Sequence, residues 1–115
     1  MNKINFEGQE IQYSVTNHVV RTTIDEPFYK AGKIFGWEGR TPGLGINEKI
    51  IKFVKKMKAT LIIHVSSVNE DYWINFPTLK NFIDNNNCQY RVRNNVLVYV
   101  INWQLFRKKL VIGDN

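Results

Sequence analysis

Polar and apolar residues alternate with a period of two through the first 24 residues, the repeat of a strand with one face on a core. Residues 3–6 and 9–15 flank Glu7-Gly8, where glycine is free to take a positive φ, so the pattern predicts a β-hairpin. A third strand over 18–24 sends Val19, Arg21 and Thr23 to one side and His18, Val20, Thr22 and Ile24 to the other. Asp25-Glu26-Pro27 ends it, because proline cannot donate to a ladder.

The alternation then stops. Residues 27–46 hold five of the seven glycines, with Pro42 and the rings of Phe28, Tyr29, Phe35 and Trp37. This composition predicts a long ordered loop packed down by its aromatics. The period next becomes helical: Ile46, Ile50, Phe53, Val54 and Met57 form one stripe, Asn47 stands as N-cap, and Glu48 suits the positive end of the dipole. The predicted helix spans 48–58, with Lys49, Lys52, Lys55, Lys56 and Lys58 covering its remaining surface.

Residues 59–65 read as a buried strand, 66–71 as a polar loop and 72–75 as a strand that pairs back in a hairpin. Pro77 in a first turn predicts a second helix over 77–85 that buries Leu79, Phe82 and Ile83. Residues 90–93 and 96–101 predict another hairpin around Asn94-Asn95, and 103–109 a short C-terminal helix with Trp103, Phe106 and Leu110 inward. The expected fold is a single α+β domain over residues 1–115. It has a mostly antiparallel twisted sheet, two main helices packed on one face and a short C-terminal helix.

Composition bounds the function classes. Apolar residues at 43% and charged residues at 23% fit a chain that folds unaided. The longest apolar runs, 60–63 and 96–101, fall far short of the about 20 residues a membrane helix needs, and 1–7 lack a signal-like apolar stretch. The expectation is a cytoplasmic protein without membrane association. Cys88 is the only cysteine, so neither an internal disulfide nor a thiolate-rich metal site is expected, and no cofactor is implied.

The net charge of +6 points to polyanionic partners. The excess is confined to 30–58 and 85–115. In the first segment Gly39-Arg40-Thr41-Pro42-Gly43-Leu44-Gly45 leads into the lysine helix. Arg40, the backbone around Gly43 and Gly45, and the helix amino end together suit a phosphate, although neither P-loop nor Rossmann spacing is met. Lys49, Lys52, Lys55 and Lys56, with Arg91 and Arg93 on one strand face, suit phosphate contacts, and Trp37 suits base stacking.

Three readings follow. The leading one is a small basic binding protein for nucleic acid or a nucleotide-like anion, without catalysis. The second is a metal-independent ribonuclease-like enzyme that uses His18 and His64, the only histidines, as its acid and base. The third is a protein-interaction or inhibitor module anchored by aromatics, with a sheet face available to pair with a second copy. The carboxylates do not converge in any spacing that favours a metal-dependent nuclease.

Overall fold

The computed structural model describes residues 2–25, 43–84, 88–102 and 107–110. Within them the chain runs β1 (Asn2–Phe6), β2 (Gln9–Ser14), β3 (Val19–Ile24), β4 (Gly43–Asn47), α1 (Glu48–Met57), β5 (Thr60–Val65), β6 (Glu70–Ile74), α2 (Phe76–Asp84), β7 (Cys88–Arg93), β8 (Val96–Asn102) and β9 (Arg107–Leu110). The class is α+β.

Six strands form one sheet in the order β1-β2-β3-β5-β6-β9, and three form a second in the order β4-β8-β7. The pairing is mostly antiparallel, as expected, but the expected single sheet is corrected to two. One pair is parallel, β3 with β5, from Val19 opposite Thr60 to Ile24 opposite Val65. A parallel pair needs a crossover, and the connection from β3 to β5 contains α1.

Local chemistry explains most boundaries. Glu7 and Gly8 both take positive φ, which gives the tight turn between β1 and β2. The Asn47 side chain accepts the Lys49 N–H at 2.8 Å and caps α1. Lys58 ends that helix in the left-handed conformation, its N–H returning to the carbonyls of Val54 and Lys55. Asn75 caps α2 by accepting the Thr78 N–H at 3.0 Å. Asn94 and Asn95 both take positive φ between β7 and β8, as their turn chemistry requires.

One core lies between the sheets and the helices. It gathers Ile11, Tyr13, Val20, Leu61, Ile63, Val65 and Ile74 from the six-stranded sheet, and Leu44, Ile46, Tyr99 and Ile101 from the three-stranded one. Helix α1 touches β2, β4, β8 and α2, so its apolar arc is wider than the predicted stripe. Ile51, outside that stripe, is fully buried. Phe53 makes edge-on contacts with Phe6 and Tyr13 at 5.4 and 5.3 Å between centroids. Leu79 and Phe82 bring α2 into the same cluster.

Other expectations are also corrected. Residues 43–46, expected in the glycine-rich loop, belong to β4, because Leu44 and Ile46 alternate with Gly43 and Gly45 and are both buried against the core. The rest of that loop, 27–42, lies outside the described residues. The expected C-terminal helix over 103–109 is replaced at 107–110 by a strand that pairs antiparallel with β6; 103–106 lie outside the described residues. So short a helix gains too little from its own hydrogen bonds to compete with a full ladder on a sheet edge. His18 precedes β3, at φ 55°, in the turn from β2. Strand β6 starts at Glu70, two residues earlier than expected, which draws Asp71 into the sheet.

Candidate functional site

The six-stranded sheet has two unlike faces. Leu61, Ile63 and Val65 of β5 face the core, and the residues between them, Thr60, Ile62 and His64, occupy the opposite face. Register extends that face across the sheet: Thr23 of β3 stands opposite His64, Arg21 opposite Ile62, Asp71 of β6 opposite His64, and Trp73 opposite Ile62. On the far side β9 sets Arg107 opposite Trp73 and Lys109 opposite Asp71.

Asp71 is the centre of this face. It is 7% exposed and is the one buried charged residue among those described. Its two carboxylate oxygens take different partners: Oδ1 accepts His64 Nδ1–H at 2.9 Å, and Oδ2 accepts from an Arg21 guanidinium nitrogen at 3.1 Å. These charge-assisted bonds offset the desolvation of the acid. The partners remain open to solvent, His64 with 18% and Arg21 with 24% of its side chain exposed. Among the described residues His64 Nε2 and the remaining Arg21 N–H groups make no further hydrogen bond. The cluster thus joins a permanent cation and an oriented imidazole through one carboxylate, a combination suited to an anionic ligand with an exchangeable proton.

His18 stands elsewhere. Its Nε2 lies 3.1 Å from the Lys58 carbonyl, which can only accept, so the ring donates there; its Nδ1 lies 3.0 Å from the Tyr13 hydroxyl. Tyr13 packs against Phe53 on the helix side of the sheet. His18 therefore serves the helix side and His64 the other. The His18 carbonyl accepts the Thr60 N–H, and His64 stands four residues further along β5, roughly 13 Å away. The expected acid and base pair of two histidines is not assembled, since alternation along β5 directs His64 away from α1.

The basic residues named from sequence divide similarly. Lys49 Nζ donates to the Glu7 carbonyl at 2.7 Å, and Lys52 Nζ lies 3.2 Å from Glu7 Oε1 and 3.6 Å from Glu48 Oε1. The Glu7 carboxylate, through hydrogen bond and charge, holds the Lys52 ammonium above its ordinary 10.5, with Glu48 adding to it. Lys56 Nζ sits 5.6 Å from the Phe6 ring centroid. Lys55 is exposed on the same helix. Two of the four lysines thus clamp the first hairpin to α1. Gly43 and Gly45 stand in β4 opposite Asn102 and Val100 of β8, in extended strand and not in an anion-cradling turn. Arg91 is exposed on β7 and Arg93 ends that strand. Arg40 and Trp37 lie outside the described residues.

Sequence reasoning missed Asp71 as a site residue because it was assigned to a loop. The exposed ring the structure places near the basic strand is Tyr90, 51% exposed and packed on Tyr99 with centroids 3.9 Å apart. Among the described residues no group of three or more histidines, cysteines or carboxylates is arranged to hold a metal ion. Nor is any described helix long and apolar enough to cross a membrane.

No family model matches the chain. No curated protein matches it. Among solved structures, a nuclease from a fusselovirus superimposes with a TM-score of 0.47 and 8% identity, over 86% of this chain and 58% of that one. The chain thus spans less than two thirds of that nuclease's length, and an overlay at this level carries nothing about chemistry.

Proposed function

We propose that the chain binds nucleic acid, with the phosphate backbone lying on the face of the six-stranded sheet turned away from the helices. One observation carries the reading: Asp71 holds Arg21 and His64 side by side on that face, each with hydrogen-bonding capacity to spare. A buried carboxylate that fixes an arginine without exhausting it prepares the guanidinium for a second acid such as a phosphate. The basic positions of β9, opposite Asp71 and Trp73 in register, and the net charge of +6 agree with a polyanion along this side. The helix lysines support it less, because Lys49 and Lys52 are engaged by Glu7.

Fluorescence anisotropy with labelled RNA and DNA oligonucleotides, at low and moderate salt, tests this. Affinity should fall steeply with salt, and Arg21→Gln should weaken binding about tenfold and reduce the salt slope by about 1. Lys52→Gln should leave affinity within about twofold, since that ammonium is paired internally. Absence of binding to either polymer at low salt, or equal losses in the two variants, would refute the reading.

A further inference from the structure

We propose that the Arg21–His64–Asp71 cluster is a catalytic site that cleaves RNA by attack of the ribose 2′-oxygen on the adjacent phosphorus, with His64 as the base; the inference deepens the nucleic-acid reading and rests on it. The argument begins with the proton on His64. A carboxylate only accepts, so the bond from Nδ1 to Asp71 Oδ1 places the ring hydrogen on Nδ1 and leaves the lone pair of the neutral ring on Nε2. That nitrogen has no partner among the described residues. Arg21, on the other oxygen of the same carboxylate, presents donors and a fixed positive charge.

A ligand that satisfies both must offer a hydroxyl donor next to an anionic oxygen. A ribonucleotide step does so, with its 2′-hydroxyl beside the 3′-phosphodiester; DNA lacks the hydroxyl. Oriented in this way, the cluster supplies more than recognition. His64 Nε2 takes the 2′-hydroxyl proton as the 2′-oxygen forms its bond to phosphorus. The bond from phosphorus to the 5′-oxygen breaks, and that oxygen takes a proton from water; the hydroxide so formed is neutralised by the proton held on His64. Arg21 donates to the non-bridging oxygens as their charge grows. The products are a 2′,3′-cyclic phosphate and a 5′-hydroxyl, and no oxidant or net water is consumed. Asp71 is a positioning residue that fixes the ring and its tautomer.

The test uses the full chain and a labelled DNA strand that contains a single ribonucleotide, with the all-DNA strand alongside. Cleavage at the ribonucleotide alone, with cyclic-phosphate and 5′-hydroxyl ends by mass spectrometry, is the expected result. His64→Gln, prepared identically, should lose no more RNA affinity than Arg21→Gln does, about tenfold, while the rate at saturating RNA falls by about 10²- to 10⁴-fold. Asp71→Asn should lower kcat by a larger factor than it raises KM. Should either variant fail to fold, the comparison of the two strands on the unaltered protein still decides, since only the 2′-hydroxyl differs. Bound but intact RNA, DNA cut as fast as RNA, or an undiminished rate in folded His64→Gln would each overturn the catalytic proposal while leaving the binding reading in place. Absence of binding to both polymers would remove both.

Discussion

His18 and His64 are the same side chain in opposite circumstances. Both ring nitrogens of His18 make structural contacts: one reaches the Lys58 carbonyl and the other the Tyr13 hydroxyl, tying the turn before β3 to the end of α1. Among the described residues His64 is held at one nitrogen only, by Asp71, on the face away from the helices. A histidine satisfied twice is a fastener. One satisfied once by a carboxylate has its ring fixed and its second nitrogen available, the condition that proton transfer requires. Residue type alone could not separate the two, because the difference lies in what each neighbour accepts or donates.

The largest effect should come from removing the shared carboxylate. Asp71→Ala leaves Arg21 without its ion pair and His64 without an acceptor in a partly closed site, and should cost about 2–3 kcal/mol in urea unfolding. The cost falls at or below the about 3–5 kcal/mol of fully buried pairs because water reaches Arg21. Asp71→Asn keeps the shape and should cost less. A loss under about 0.5 kcal/mol in Asp71→Ala would mean that the cluster does not hold β3, β5 and β6 together. His18→Asn comes next. Asparagine tolerates the left-handed backbone but is too short to span both partners, so about 1–2 kcal/mol should be lost while RNA affinity stays unchanged. A parallel loss of RNA binding would break the division between the two histidines.

These contrasts also show what was legible in the sequence. The hairpins around Glu7-Gly8 and Asn94-Asn95, the cap at Asn47 and helix α1 follow from local turn chemistry and periodicity, and the structure has them. That Arg21 shares a side with Val19 and Thr23, opposite to Val20, was legible too, from alternation in β3. His64 and Asp71 face each other across the β5–β6 hairpin, yet aspartate's poor strand propensity hid that register. Arg21 joins them only through the parallel pairing of β3 with β5, which brings it to Asp71, 50 residues away in sequence, and which no local pattern encodes. Strands β4 and β9 were missed for a related reason: ladder pairing outweighed the glycines of one and the helix-like spacing of the other.

Alkaline pH tests the helix-side lysines. Lys52 is held above its ordinary 10.5 by Glu7 and Glu48, so its contribution to stability is complete below about pH 10.5 and is lost as pH rises through the higher folded value. Lys52→Gln should therefore flatten the alkaline decline measured by urea unfolding, with no change near neutrality in the salt slope for RNA. The same decline in both proteins would show that Glu7 does not hold Lys52 in solution.

The smallest effect concerns the other end of α1. Lys58 takes φ 54° and ψ 40°, a conformation in which its Cβ crowds the backbone, and its carbonyl accepts from His18. Glycine removes the crowding but loses more freedom on folding, so Lys58→Gly should gain only about 0.5 kcal/mol. The informative quantity is its coupling to His18→Asn. If the His18 bond helps to hold residue 58 left-handed, relief of the crowding should matter more once that bond is gone. The double variant should then be more stable than the two single changes sum to, by about 0.5 kcal/mol. Strict additivity would mean that the helix cap sets this conformation by itself, and that His18 reads the end of α1 without shaping it.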